Sequence, residues 1–178
     1  PGLRHLRLYR QAQAAQAGGT MKLPWIVIAE SLIGIKEVPG PQHNSEILQM
    51  WRDIKRGGIK SDEVPWCAAF VGACLERAGI QSTRFEGARS YAEWGQNLPA
   101  PSLGCVVVFS RDGGGHVGFV VGQDKTGNLL VLGGNQSDAV NVRAFPRSRV
   151  TAYRWPAGVD VPAGPLPVGV GSMTKGES

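Results

Sequence analysis

Val64-Pro65-Trp66-Cys67-Ala68-Ala69-Phe70-Val71 decides how this chain folds. Proline is tolerated in a first helical turn, where its missing N–H would have no partner. It also pushes Val64 toward an extended conformation. A helix is therefore predicted from about Pro65, with Cys67 in its first turn. Unpaired N–H groups and the positive end of the dipole favour a thiolate there, so Cys67 is expected to label quickly at mildly acid pH. Phe70, Val71, Cys74, Leu75 and Ala78 form the apolar stripe, and Gly79 stops the helix. Cys74, two turns on, reads as core. Taken alone, Cys67 reads more readily as a small buried residue on an apolar helix. The residues that decide between these lie downstream.

Working outward, residues 1–20 read as an appendage: Leu3, Leu6, Arg4, Arg7 and Arg10 suggest a short basic amphipathic helix, followed by a Gln/Ala run and Gly18-Gly19. It suits either a surface-seeking arm for anionic lipid or a linker or vector-derived remnant ahead of Met21. Pro24 opens a helix carrying Ile26, Ala29, Leu32 and Ile33, and Asn44 caps a second with Ile47, Leu48 and Trp51 inward. Asp62 and Glu63 stand where they could cap or orient the Cys67 helix. A short helical segment follows over 88–94. After Pro99-Ala100-Pro101 the chain turns β-rich, with strands at 105–109, 116–121, 129–132, 140–145 and 150–155. Helices first and an antiparallel meander of about five strands afterwards make an α+β fold. The folded domain is expected over 21–157, with 158–178 a Pro/Gly-rich flexible tail.

Composition bounds the class. At 178 residues with 42% hydrophobic content, the chain suits one domain with a real core. Twenty-five glycines and twelve prolines favour loops over a helical bundle. A formal charge of +5 suits a polyanionic partner such as nucleic acid, anionic lipid or an acidic cell-wall polymer. Aromatics interleaved with basic clusters, as in nucleic-acid binders, are not apparent. Cys67, Cys74 and Cys105 are too few and odd in number for a disulfide framework. With no C-x-x-C pair and with His5, His43 and His116 scattered, neither a metal nor a cofactor is expected. No apolar run approaches a membrane span. The stretch after Met21-Lys22 is too short for a secretory signal, and Glu30 interrupts it.

Folding strands two and three about the Lys125–Thr126 bond pairs Val121 with Leu130, Phe119 with Leu132 and Val117 with Gly134. On the other face it pairs Val120 with Val131, Gly118 with Gly133 and His116 with Asn135. Directly opposed residues share a face at roughly 5 Å. A helix-terminal Cys67 followed by His116 and Asn135 on neighbouring strands is the order of parts in papain-like hydrolases. Cys67 is then nucleophile, His116 base and acid, and Asn135 the group that orients the imidazole. The Cys67 N–H is a natural oxyanion donor. Trp66, Gly118 and Gly133 are the candidate substrate contacts, the two glycines leaving space for a helix end or a substrate backbone.

Pro65-Trp66-Cys67-Ala68-Ala69-Phe70-Val71, the glycine-rich turn into His116-Val117-Gly118, and Gly133-Gly134-Asn135-Gln136 resemble the CHAP/NlpC-like peptidoglycan hydrolases, over roughly residues 23–155. The nearest likeness is to a subgroup of phage lysins and bacterial wall-directed toxins. The resemblance implies a papain-like thiol amidase or endopeptidase acting on peptidoglycan stem peptides or cross-links. It also implies a monomer working at the cell wall or periplasm, released by phage lysis or a secretion system. A toxin reading brings with it a cognate immunity protein. Typical CHAP members carry an acidic residue two positions before the Asn, where Gly133 stands here. Typical NlpC members have Asp-Cys-Ser where this chain has Trp66-Cys67-Ala68.

Other readings are a protease, isopeptidase or acyltransferase on a protein substrate, or an inactive wall-binding or structural phage module. A binding module needs no nucleophile. Gly113 to Gly118 matches G-x-G-x-x-G by letters, but it opens a β-rich run where a dinucleotide site needs a helix. Asp138 is a rival to Asn135 that reads more naturally as a turn residue.

Overall fold

The computed structural model describes Arg4 and residues 23–169. The expectations for residues 1–20 lie, Arg4 apart, outside the described residues, as does the stretch 170–178. From residue 23 on, the described residues open with three helices: α1 (Pro24–Ser31), α2 (Ser45–Asp53) and α3 (Cys67–Arg77). After a 3-10 turn at Ala88–Glu93 come β1 (Gln96–Leu98), β2 (Val106–Arg111), β3 (Gly114–Gln123), β4 (Leu129–Gly133), β5 (Asn141–Phe145) and β6 (Val150–Trp155). This is the expected α+β arrangement of helices and antiparallel sheet. The sheet has six strands rather than about five, because the short β1 adds to the edge of β6. Their order is β1-β6-β2-β3-β4-β5.

Local chemistry accounts for the helix ends. Pro24 sits at the start of α1, and the Asn44 side chain accepts from the N–H groups of Glu46 and Ile47 to cap α2. Such a cap contributes about 1 kcal/mol. The third helix begins at Cys67, two residues later than Pro65 suggested, with Trp66 as the N-cap residue accepting from the Phe70 N–H at 2.9 Å. No side chain caps it, so Asp62 and Glu63 do not have that job.

Every residue of α3 from Cys67 to Leu75 is buried, since α1 and α2 cover one side and β3 the other. A helix apolar all round belongs at the centre of a fold. Phe70 meets Phe119 of β3 edge-on at 6.1 Å. Trp25 ties α1 to the sheet through its indole N–H to the Gly104 carbonyl at 2.9 Å and an edge contact with Trp155.

The sheet is strongly curled. Phe109 of β2 and Phe145 of β5 stack with ring centroids 4.7 Å apart, although β3 and β4 lie between their strands. In a flat sheet, three strand spacings of about 4.8 Å would hold those strands about 14 Å apart. Their shared face is therefore concave, and α3 packs on the other face.

Residues 158–169, expected as a flexible tail, are docked. Gln123 donates from its N–H to the Pro167 carbonyl and accepts from the Gly169 N–H, and Val168 forms a parallel bridge with Gln123. Leu166 is buried, and the Trp155 indole donates to the Val159 carbonyl at 2.8 Å. The folded unit thus runs past Ala157 to at least residue 169. Truncation after Ala157 should cost about 2–4 kcal/mol of stability, the scale of one buried leucine plus a few hydrogen bonds. A urea midpoint unchanged by that truncation would contradict the docking.

Candidate active site

The approach to Cys67 is fixed by a buried carboxylate. Asp62, fully buried, accepts from the N–H groups of Val38 (2.9 Å) and Asn44 (2.8 Å) and bonds His43 Nδ1 at 2.9 Å. Burial opposes its ionisation, but these bonds outweigh it and hold its pKa below the usual aspartate value. The loop 36–44 and the segment entering α3 are tied together at this one side chain. Trp66 adds a second tie, its indole donating to Glu37 Oε1 at 2.9 Å. Trp66, a candidate substrate contact in the sequence, is fully buried at this tie.

On β3, His116 lies 7% exposed at the end of the concave face, stacked with Phe109 and Phe145 at 6.2 and 5.5 Å. Its Nε2 lies 3.0 Å from Gln136 Oε1. The Gln136 amide nitrogen donates to the Asn141 carbonyl (2.9 Å), the Asn141 side-chain oxygen (2.9 Å) and the Val131 carbonyl (3.3 Å). Carbonyls only accept, so the amide nitrogen must face them and its oxygen must face the imidazole. Nε2 therefore carries the proton, and Nδ1 is left with a lone pair.

That partner is Gln136, whereas the register argument put Asn135 there. Phe119 does pair with Leu132, and Val120 with Val131. A bulge then shifts the ladder so that Gly122, not Val121, faces Leu130. At the other end Asn135 adopts φ 55°, in the left-handed region. Alternation ends there, and the side chain that swings under His116 is the next one along. Asn135 remains on the wall of the same cavity. Asn tolerates this conformation better than most residues. The Asn141 side chain secures the turn by donating to the Gln136 carbonyl at 2.7 Å.

The glycines have different tasks from those expected. A Cβ on Gly118 would run into Val131, and one on Gly133 would collide with Gln136 Oε1 and sit 3.4 Å from His116 Nε2. Neither leaves space for substrate; Gly133 makes room for the Gln136–His116 bond. The glycine that admits the cysteine helix is Gly134, where a Cβ would lie 2.5 Å from Phe70 Cβ and 2.7 Å from the Trp66 ring.

Cys67 reaches β3 one residue from His116, where the Val117 amide acts on its sulfur. Strand alternation sends Val117 and Phe119 toward α3 and His116 toward the concave face, so Cys67 and His116 flank the same strand position. Among the described residues no hydrogen bond joins them. Burial pushes the Cys67 thiol up; the amides of Val117, Ala68 and Cys67 itself, together with the Arg111 charge, oppose that rise. The net direction is upward, so the fast labelling expected at mildly acid pH does not describe the resting thiol. Cys105, also buried, is pushed up to about 12.

Burial lowers the His116 pKa to about 4; the Gln136 bond resists, and the charges of Arg111 and Arg149 assist. The unfolded chain protonates this histidine near 6.5 and the folded one only near 4. Stability present at neutral pH is therefore lost as pH falls through that window, by about 3 kcal/mol in full. Comparing urea midpoints at pH 7 and 4.5, the wild type should lose about 2–3 kcal/mol more than His116→Gln. Equal losses would show that the imidazole is not held neutral.

The concave face opens on a cavity of about 110 Å³ lined by His116, Asn135 and Gln136 together with Arg111, Arg143 and Arg149. The site thus combines a buried thiol, a neutral imidazole of fixed tautomer and a cationic pocket. Among the described residues no helix is long and apolar enough to cross a membrane. No curated protein matches the chain. The family model for the CHAP domain matches residues 59–135, a stretch containing Cys67, His116 and Asn135. CHAP domains are generally cysteine- and histidine-dependent amidases or peptidases, which points to hydrolase activity on peptidoglycan. With helices leading and an antiparallel sheet following, this CHAP domain match over residues 59–135 is consistent with the CHAP/NlpC-like papain-fold superfamily.

Proposed function

We propose that the chain is a peptidoglycan hydrolase that cleaves an amide or peptide bond of the stem peptide or cross-link through the Cys67 thiol. The observation that carries this reading is the Gln136-locked imidazole, neutral with its Nδ1 lone pair available, one strand residue from the point where Cys67 meets β3. Catalytic hydrogen bonds are often unformed before substrate is bound, so the missing thiol–imidazole bond suits a resting enzyme. In turnover His116 Nδ1 takes the thiol proton through one water that passes the start of β3, since the two groups lie on its opposite faces at rest, as Sγ attacks the carbonyl carbon. The oxyanion receives the Cys67 N–H, which has no intrahelical partner at the first position of α3. The imidazolium then protonates the leaving amine, giving a thioester that water hydrolyses with His116 again as base. Gln136 Oε1 holds the ring throughout and accepts from Nε2.

Digestion of purified cell walls, followed by turbidity and by mass spectrometry of the released fragments, tests this. New amine and carboxyl termini within stem peptides or cross-links are expected. Intact walls, or release of sugar fragments alone, would overturn it.

A further inference from the structure

Resting on that reading, we propose that the arginine-walled cavity beside His116 is a carboxylate subsite, which selects wall peptides bearing a free carboxylate close to the scissile bond. Its cations come from separate parts of the sheet: Arg111 ends β2, Arg143 lies in β5, and Arg149 precedes β6. Curling of the sheet brings them to one opening. Bringing the Arg111 and Arg149 charges to one cavity is unfavourable unless an anion joins them. Elsewhere Arg56 pairs with Glu86, Arg77 with Glu46 and Asp53, and Arg84 with Glu76, while Arg52, Arg89, Arg147 and Arg154 are spread singly over the surface on neutral acceptors. Neither Arg111 nor Arg149 has a carboxylate partner among the described residues.

The groups are also oriented. Arg149 is held over the Phe145 ring at 5.8 Å, and Arg143 donates from Nη2 to Ser137 Oγ at 2.8 Å. Phe145 itself stacks on His116, so the Arg149 platform is continuous with the imidazole. A guanidinium presents a planar fork of donors that matches a carboxylate. The cavity, about 110 Å³, has room for a carboxylate with the short chain bearing it. Peptide stems with free carboxylates beside their amide bonds are the wall component of that shape and charge.

A synthetic tetrapeptide stem with free carboxylates and its fully amidated counterpart provide the test, both offered to the full chain. The free acid should be cleaved with kcat/KM at least 10-fold higher. In Arg149→Gln and Arg111→Gln that preference should shrink toward unity, and Arg149→Lys should retain part of it. Calorimetry of Cys67→Ala with the same two peptides reads the subsite without turnover. Equal cleavage and equal binding of the two peptides would overturn the subsite and leave the hydrolase standing. Tighter binding of the free acid, abolished by adding Arg149→Gln, with no cleavage by the wild type, would support the subsite and overturn the hydrolase. Inorganic phosphate competing as strongly as the free-acid peptide would overturn the carboxylate assignment in favour of a general anion site.

Discussion

Cys67→Ala is expected to remove wall hydrolysis almost entirely, by about 10⁴-fold or more, while the protein stays folded. The magnitude follows from the proposed chemistry, since a nucleophile that forms the covalent intermediate has no substitute in an alanine side chain. The fold should tolerate the change because the residue is small, starts its helix, and loses one buried sulfur, a cost of about 1–2 kcal/mol. Cys74→Ala and Cys105→Ala, both deeper in the core, separate the roles by reversing the pattern. They should lower the melting temperature and leave activity per folded molecule near the wild-type value. Activity retained in Cys67→Ala would reduce that thiol to a packing residue.

Gln136→Ala carries the second large effect. It removes the acceptor on His116 Nε2 and, with it, the arrangement of Val131 and Asn141 acceptors that fixes the amide's direction. With the tautomer no longer specified, Nδ1 carries the proton part of the time and cannot serve as base. Loss of the group that orients a catalytic imidazole costs on the order of 10²–10⁴ in kcat in comparable triads. Asn135→Ala should cost far less, under about 10-fold, because in the resting arrangement its side chain is not on the ring. Glutamate at 136 is not a simple replacement. One oxygen can accept from Nε2, but the other then faces the carbonyls of Asn141 and Val131, leaving two acceptors opposed. Gln136→Glu should therefore recover only part of the lost rate. If Asn135→Ala proves the more damaging of the two alanine variants, the orienting role moves back to Asn135.

The contrast between these two neighbours shows where sequence reasoning reaches and where it stops. Hydrophobic alternation through β3 and β4 was enough to pair Phe119 with Leu132 and Val120 with Val131, and the proline-to-cysteine spacing placed Cys67 at a helix start. Both rest on local periodicity. The identity of the imidazole's partner rests on a backbone break, since left-handed conformations at Asn135, Ser137 and Asp138 end the alternation. A signal was present: Asn, Ser and Asp crowded after two glycines mark a turn, and strand register should not be carried through one. The shift at Val120/Gly122 had no comparable mark beyond Gly122 itself. Nor did the docked stretch 158–169, whose proline-rich composition reads as a linker although Leu166 is buried. The cationic cavity was illegible for a different reason: its arginines are brought together only by the curl of the sheet.

The protonation state of His116 can be read directly by nitrogen NMR of the imidazole in the 178-residue chain. The account predicts a protonated, pyrrole-like Nε2 and an unprotonated, pyridine-like Nδ1 at neutral pH. That pattern should persist well below the ordinary histidine pKa, because burial holds this group to about 4. In Gln136→Ala the two nitrogens should approach averaged shifts as the tautomers mix. A ring that carries its proton on Nδ1, or that titrates to imidazolium near pH 6.5, would contradict the account.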